Sequence, residues 1–350
     1  MKKTGAGRAL LAALLFGLST PAAKGLLADV SPQMLAGLLY LGSGAGLSVL
    51  WILKRHTGTD RDASLTKVDV PWLAGAILFG GVIAPLLVMT GLSRTPASTS
   101  ALLLNLEAVF TAIIAWIVFS ENVDRRILLG MLAIVAGGVV LSWTGGFSWS
   151  GALGPSLIAL GCLSWGVDNN LSQKVSGRDP VQIAMIKGFV AGIVNLTAAV
   201  IRGGHAPPLA YLGAAMSLGF LSYGISLVLY VLAMRDLGTA RTGAYFSLAP
   251  FVGAAVSLVV WRESLTLSLV VAGTLMAIGM WLHLSERHSH QHTHELLTHS
   301  HLHVHDEHHQ HTHSPELNGT EPHSHEHTHE RLVHAHEHYP DLHHRHSHND

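Results

Sequence analysis

The sequence predicts an all-α polytopic membrane protein: ten transmembrane helices form two inverted five-helix repeats, followed by a disordered histidine-rich tail. Hydrophobic residues make up 49% of the 350 residues and charged residues only 12%, whereas soluble domains carry about a quarter of charged residues. Apolar runs of membrane-spanning length recur along residues 9–284. Two of these runs resemble one another across the halves of the chain, which indicates an internal repeat.

The apolar runs define ten spans, numbered in chain order. They cover residues 9–27, 34–53, 72–92, 96–119, 127–143, 151–171, 181–201, 208–234, 242–261 and 265–284. No segment shows the alternation of apolar and polar residues that is typical of a membrane β-barrel. Helices are then the remaining way to satisfy the hydrogen bonds of the backbone in lipid. The N-terminus resembles a signal peptide, but nine further spans follow it, so we interpret it as an uncleaved first span.

The repeat is clearest in spans 4 and 9. Residues 96–119 contain one charge, Glu107, and the run closes at Glu121; at an offset of 142 residues, a second apolar run closes at Glu263. The same offset aligns Leu106 with Leu248, Ala112 with Ala254, Val118 with Val260 and Gly137 with Gly279. Five spans per half is an odd number, so the halves must insert in opposite orientations. We therefore expect one repeat over residues 8–143, a second over residues 151–284 and the tail over residues 286–350.

Charge in the connections predicts the orientation. With the N-terminus inside, 13 lysines and arginines lie in cytoplasmic segments and three lie outside, so the positive-inside rule places both termini in the cytoplasm. The expected location is a bacterial-type inner (plasma) membrane. The single cysteine, Cys162, allows no intramolecular disulfide.

The motifs resemble a known family. FGLSTPAAKG in span 1, ALLLNLEAVFTAIIAWIVFSE followed by GMLAIVAGGVVL, and FSLAPFVGAAVSLVVWRES followed by AGTLMAIGMWL are similar to the two EamA repeats of the drug/metabolite transporter superfamily. The resemblance covers about residues 8–284 and implies a carrier of small organic metabolites. Ala108 departs from the proline that the family often has in span 4, whereas span 9 keeps Pro250, which argues against unwinding of span 4 at that point.

Charged residues within spans are candidates for function, because each is costly to insert. There are four: Lys24 near the outer end of span 1, Glu107 near the middle of span 4, and Asp168 and Lys187 about two turns from the inner face. Asp168 and Lys187 are expected at similar depth, which favours a structural ion pair. Burial favours the protonated form of Glu107, a candidate proton carrier. The alternatives are an ion pair with Lys24 or Lys187 and a hydrogen bond to Asn105 or Thr111.

Uncharged polar residues extend this set. The predicted substrate or proton pathway comprises Lys24, Asn105, Glu107, Thr111, Asp168, Asn169, Lys187, Tyr245 and Ser247. Each uncharged member taken alone is more typical of a hydrogen bond between helices. Pro21 and Pro250 lie within spans of opposite halves, free backbone carbonyls, and are candidates for bending during gating or for simple packing kinks.

The tail carries 23 of the 26 histidines, and its acidic residues outnumber its arginines by 11 to three. Such composition predicts disorder. A 27-residue segment from His288 recurs from His323 with 16 identities. Neutral imidazoles at His-x-His spacing suit Zn²⁺, Ni²⁺, Co²⁺ or Cu²⁺. The predicted ligands are His288, His290, His292, His294, His299, His301, His303, His323, His325, His327, His329, His334, His336 and His338. A pH-responsive tail and a dispensable extension are the alternatives.

Three functions are compatible with these features. The first is a secondary-active or facilitative carrier that exports amino-acid-like metabolites. Its tail would bind metal and regulate transport. The second is an exporter of divalent metal, which the scarcity of paired histidines and carboxylates in the spans disfavours. The third is a membrane-tethered metal buffer or sensor. No Walker-type loop or catalytic constellation is present, so we expect no ATP-driven pump and no enzyme.

The expected partners follow from these hypotheses. They are the lipid bilayer, a small-molecule solute and divalent metal ions, with no nucleic acid. The sequence leaves a homodimer open, and no cofactor is expected to be required for transport.

Overall fold

The computed structural model of this chain describes residues 2–56, 65–119, 125–143, 149–175, 178–237, 239–284, 288–294, 297–303, 323–329 and 332–338. The regular structure of the described residues between 2 and 284 is helical. The α-helices are α1 Lys2–Gly17, α2 Ser19–Leu26, α3 Pro32–His56, α4 Val70–Ala76, α5 Ala84–Arg94, α6 Ala97–Leu103, α7 Leu106–Phe119, α8 Arg125–Ser142, α9 Trp149–Gln173, α10 Pro180–Ile201, α11 Leu209–Gly219, α12 Ser226–Leu237, α13 Thr239–Phe246, α14 Ala249–Val260 and α15 Leu267–Leu284. A short 3-10 helix, Lys67–Asp69, precedes α4.

Among the described residues, seven helical stretches are long and apolar enough to cross a membrane. They are Thr4–Leu26, Pro32–Leu53, Lys67–Arg94, Ala97–Val118, Arg125–Ser142, Pro180–Ile201 and Leu209–Ala233, and two shorter apolar helices cover Ala249–Val260 and Leu267–Leu282. Large aliphatic side chains such as Val259 and Leu267 are exposed on the surface of the bundle, as expected where lipid is the solvent. The chain is therefore a helical, multi-pass membrane protein.

In the part of the chain that the structure describes, two π-helices interrupt the regular α-geometry. Ile77–Ile83 lies between α4 and α5, and Phe220–Ile225 lies between α11 and α12. The second begins 143 residues after the first and ends 142 residues after it. Short π-helical segments are rare and often occur at functional sites, and this spacing repeats the sequence offset of 142.

Three further breaks divide apolar runs into pairs of helices. Leu18 separates α1 from α2, Leu104 and Asn105 separate α6 from α7, and Ser247 and Leu248 separate α13 from α14. The last two breaks lie 143 residues apart. Ala108 itself is helical, as expected for a position without proline, but span 4 is nevertheless interrupted one turn earlier.

The helices pack in a regular set of pairs. The most extensive contacts join α3 with α10, α8 with α15, α5 with α9, and α1 with α12, while α6 packs on α14 and α7 on α9. Close approach of α3 and α10 depends on Gly44 and Gly188, because a Cβ on Gly188 would lie 2.6 Å from the backbone nitrogen of Gly44. Small residues commonly permit such contacts between membrane helices.

Four strands lie in the described parts of the tail. β1 His288–His294 pairs antiparallel with β4 Leu332–His338, and β2 Leu297–His303 pairs antiparallel with β3 His323–His329. These segments differ from the disorder that composition predicts. The His-x-His alternation has the two-residue period of a strand, and the tandem duplication supplies segments of matching length to pair.

Candidate functional site

A polar bridge joins α7 to α9. The side-chain amide of Asn169 donates hydrogen bonds to Oε1 of Glu107 at 2.9 Å and to Oγ1 of Thr111 at 3.1 Å. The Thr111 hydroxyl donates in turn to the backbone carbonyl of Glu107 at 2.8 Å. Glu107 is half-buried and Asn169 is exposed. The bridge thus connects two helices through an exposed amide.

The break in span 4 explains why a carboxylate is tolerated here. Because α7 begins at Leu106, Glu107 lies in its first turn. Unpaired backbone N–H groups and the helix macrodipole favour negative charge at that end of a helix. The sequence predicted Glu107 as a candidate but indicated neither this position nor the Asn169 partner. Asn105, at the break, is instead buried and donates to the Leu102 carbonyl at 2.9 Å.

The predicted ion pair between Asp168 and Lys187 is present. Asp168 also accepts a hydrogen bond from the Ser172 hydroxyl at 2.9 Å, and its side chain is 7% exposed while that of Lys187 is 16% exposed. The sequence placed Glu107 and Asp168 at different depths in the membrane. Their separation in depth is smaller than expected, because Asn169, the neighbour of Asp168, bonds to Glu107.

Glycine at position 80 makes room for this pair. A Cβ there would overlap the carboxylate of Asp168. Gly80 lies in the first π-helix, where the widened turn leaves backbone carbonyls in need of new donors. The site thus depends on the absence of a side chain at one position of this π-helix.

Four side chains supply those donors. The Phe79 carbonyl accepts from the Ser164 hydroxyl at 2.8 Å, and the Gly81 carbonyl accepts from the Asn195 amide at 3.1 Å. The Gly80 carbonyl accepts from the Tyr40 hydroxyl at 2.6 Å and from Trp165 Nε1 at 3.0 Å. Sequence analysis missed Tyr40, Ser164, Trp165 and Asn195. The signal available was the Gly80-Gly81 pair followed by Pro85 within an apolar run.

Sequence analysis also missed a chain of five aromatic rings in the bundle. The ring centroids are 5.6 Å apart for Tyr40 and Tyr223, 5.8 Å for Tyr223 and Phe16, 5.5 Å for Phe16 and Phe246, and 4.8 Å for Phe246 and Tyr230. We call these five residues the aromatic cluster. Its members belong to four α-helices and the second π-helix, so only the folded bundle assembles it.

Two predicted residues lie beside this cluster. Tyr245 immediately precedes Phe246 at the end of α13, and Ser247 occupies the break before α14. Both side chains are half-buried.

Lys24 lies at a different place from the Glu107 bridge. Its ammonium group donates to the backbone carbonyls of Leu92 at 2.6 Å and Thr95 at 2.8 Å. These carbonyls lie at the end of α5, where a lysine satisfies groups that the helix leaves unpaired. The structure thus ties α2 to the connection between α5 and α6.

The predicted gating prolines lie beside breaks. Pro250 occupies the first turn of α14, where its missing N–H costs no helical hydrogen bond. Pro21 follows the break at Leu18, and its carbonyl accepts a hydrogen bond from Trp261 Nε1 at 3.1 Å. These contacts give the two prolines defined positions, and their role in gating remains a prediction.

The predicted metal ligands of the tail all lie in the four strands. Cα register places His288, His290 and His292 opposite His338, His336 and His334, and a second set of pairs joins His299, His301 and His303 with His327, His325 and His323. Among the side chains that the structure describes, no group of three or more His, Cys, Asp or Glu residues is arranged to hold a metal.

Comparison with known proteins shows which proteins this chain is similar to. An uncharacterized transporter of Methanothermobacter thermautotrophicus is 29% identical over 289 residues, which are 78% of this chain and 84% of that protein. A probable 4-amino-4-deoxy-L-arabinose-phosphoundecaprenol flippase subunit, ArnE, of Pseudomonas paraeruginosa is 36% identical over 109 residues, 31% of this chain and 92% of the subunit.

A solved crystal structure shares the fold. It has a TM-score of 0.58 at 19% identity, and the match covers 79% of this chain and 95% of the other. The profile of the EamA-like transporter family matches residues 3–143 and 152–285. This chain therefore belongs to the EamA-like transporter family.

Proposed function

We propose that this chain is a secondary-active or facilitative exporter of small organic, amino-acid-like metabolites, and that its tail binds metal and regulates transport. The Glu107–Asn169 bridge carries the proposal. It places a half-buried carboxylate against an exposed amide, next to a break in span 4. Broken helices that line a cavity are how many carriers form their binding sites.

We also propose the ten-span architecture of two inverted repeats. Exchanging each span with its partner five spans away maps the α5–α9 contact onto the α12–α1 contact, and it maps the α3–α10 and α8–α15 contacts onto themselves. The two π-helices and the breaks in spans 4 and 9 follow the same offset. This pattern is what two copies of one unit, related by an axis in the membrane plane, would produce.

The bundle has the features of a state closed on one side. Lys24, Trp261 and Glu263 tie together the ends of α2, α5, α6 and α14 on the side that the charge distribution assigns to the exterior. Asn169 lies toward the opposite end of the bundle and is exposed. We infer a cavity that opens to the cytoplasm, where both termini of an inner-membrane exporter would lie.

Glu107 is the proposed coupling residue. Its direct partner is the neutral amide of Asn169, whereas Asp168 is paired with Lys187. A carboxylate without a bonded cation can alternate between proton and solute more readily than one held in an ion pair. Proton exchange at Glu107 would then couple export to a pH gradient.

A divalent metal is the less favoured cargo. The described side chains include no group of three metal ligands, and a dehydrated cation needs several. For the tail, the strand register that places histidines opposite one another supports metal binding. A tethered metal buffer is the alternative if the bundle carries nothing.

The test is a solute screen in proteoliposomes that contain the full chain, with an inward or outward pH gradient and with or without Zn²⁺. The proposal expects gradient-dependent movement of at least one organic amine or amino-acid-like solute. It also expects Glu107→Gln to abolish the pH dependence while the matched surface variant Asp29→Asn leaves it unchanged. Movement of Zn²⁺ alone, or of no solute with correctly folded protein, would overturn the proposal.

A further inference from the structure

The two-stranded ribbons of the tail, β1–β4 and β2–β3, pair the two copies of the duplicated segment with each other. β1 and β2 lie in the first copy, and the offset of 35 residues carries them onto β3 and β4 in the second. Since β1 pairs with β4 and β2 with β3, each ribbon takes one strand from each copy. Exchange of the two copies maps one ribbon onto the other, so the duplication yields two equivalent ribbons.

The register of each ribbon places three histidines of one copy opposite three histidines of the other, and we call these the paired histidines. In the β1–β4 ribbon the pairs are His288 with His338, His290 with His336 and His292 with His334. The positions between them hold no histidine, for example Ser289 opposite Glu337. Successive residues of a strand alternate between faces, and opposed residues share a face. Each ribbon therefore carries its paired histidines on one face.

This spacing suits a metal ion that links the strands. Opposed positions of an antiparallel pair have Cβ atoms about 5 Å apart, whereas successive histidines of one strand, two residues apart, are separated by about 7 Å. A bond between a metal and an imidazole nitrogen is about 2 Å long. Two opposed histidines are thus the closer pair for holding one ion between them.

Metal binding and strand pairing should also be coupled. A two-stranded ribbon by itself is at best marginally stable in water. An ion held by one histidine from each strand joins the strands directly, and its binding free energy adds to the stability of the ribbon. Binding of the ion then favours the paired arrangement over separate strands.

We propose that a divalent transition-metal ion such as Zn²⁺ or Ni²⁺ binds between the two copies of the duplicated segment, with paired histidines of both copies as its ligands. The two ribbons provide two equivalent sites of this kind. Metal binding thereby brings the two copies together. This inference rests on the proposed metal-binding tail and deepens it by assigning the ligands to pairs and the duplication to the formation of the site.

The test compares two matched variants of the full chain, each with six histidines replaced by glutamine, three from each copy. The split variant changes the paired histidines of β1 and β3, for example His288→Gln and His323→Gln, and leaves no histidine pair intact. The one-ribbon variant changes those of β1 and β4, for example His288→Gln and His338→Gln, and leaves every pair of the β2–β3 ribbon intact. Zn²⁺ is titrated in competition with a chromogenic chelator against purified, untagged protein in nanodiscs.

We expect the one-ribbon variant to keep about half of the high-affinity Zn²⁺ of the parent at unchanged affinity, and the split variant to bind at least tenfold more weakly. Chelation within one copy would treat the two variants alike, because each keeps one strand with three alternating histidines in each copy. Equal affinities would therefore overturn the inference while leaving a metal-binding tail. A parent chain that binds no Zn²⁺ would refute that part of the proposed function as well. The expected Zn²⁺ pattern without transport of any solute would refute the transport function alone.

Discussion

Glu263 follows α14, near the end of the helical body, yet its carboxylate accepts a hydrogen bond from the backbone N–H of Ala97 at 2.7 Å. The neighbouring Ser98 donates its backbone N–H to the same carboxylate at 3.0 Å and its hydroxyl as well. A glutamate from one half of the chain thus caps the first turn of α6 in the other. Lys24 satisfies the carbonyls at the end of α5, just before this turn, so the α5–α6 connection is held from both sides.

The contact of Glu263 with the first turn of α6 predicts that its removal lowers the stability of the fold. Glu263→Ala leaves the first N–H groups of α6 without their acceptor, and the loss of a helix cap costs about 1 kcal/mol. We expect the unfolding midpoint in detergent to fall by a few degrees. Glu263→Gln, which keeps an acceptor oxygen, should lose less. The control Thr274→Val removes an exposed hydroxyl bonded within α15 and should leave the midpoint unchanged; an equal fall in that variant would refute the assignment.

Gly80→Ala should disrupt the Asp168–Lys187 pair. The added Cβ would overlap the Asp168 carboxylate, and separating a buried ion pair costs on the order of 3 kcal/mol. Thermal unfolding should show a marked loss of stability, together with loss of transport. Gly213→Ala is the matched control, because a Cβ on that helical glycine meets nothing within 4 Å. A Gly80→Ala protein as stable as the Gly213→Ala protein would contradict the prediction.

The losses of stability caused by substituting Asp168 and Lys187 should not be additive. Asp168→Asn or Lys187→Met alone leaves one charge without its partner, whereas the double variant removes both. We expect the double variant to be more stable than the sum of the two single losses predicts. Unfolding midpoints of the four proteins form the cycle, and strict additivity would show that the two side chains do not interact.

Substitution of two adjacent asparagines should distinguish an effect on transport from an effect on stability. Asn169 is exposed and bonds to Glu107, whereas Asn170 is 4% exposed and donates to the Thr111 carbonyl at 3.1 Å and the Gly166 carbonyl at 2.9 Å. Asn169→Ala should lower transport at least tenfold with little change in the unfolding midpoint. Asn170→Ala should lower the midpoint, because it leaves buried groups unsatisfied. The reverse pattern would place the functional surface on the other side of α9.

The tail should account for metal binding. The full chain, stripped with a chelator, is expected to bind Zn²⁺ or Ni²⁺ by calorimetry, and lowering the pH below about 6 should release it as imidazoles protonate. Removal of residues 286–350 should abolish binding without altering the unfolding midpoint of the body. Undiminished metal binding by the shortened chain would show that the metal site lies in the bundle and not in the tail.

Much of the architecture was determined by the sequence alone. Long apolar runs with few charges permit only helices in lipid, so the membrane class, the approximate spans and the family resemblance followed from composition and motifs. The similar depth of Asp168 and Lys187 was enough to predict their ion pair. Glu107 was identified because a charge inside a span is costly and therefore rarely incidental.

Only the tertiary structure decided how these parts meet. Hydrophobicity is uniform around most of these helices, so periodicity does not show which faces touch; the contacts of Glu263 with Ala97, and of Tyr40 and Asn195 with the π-helix, join residues far apart in sequence. The sequence located neither the break at Leu104 and Asn105 nor the aromatic cluster, because both depend on packing between helices. Local chemistry determines which segments enter the membrane, whereas the close approach of helices determines which polar groups face one another there.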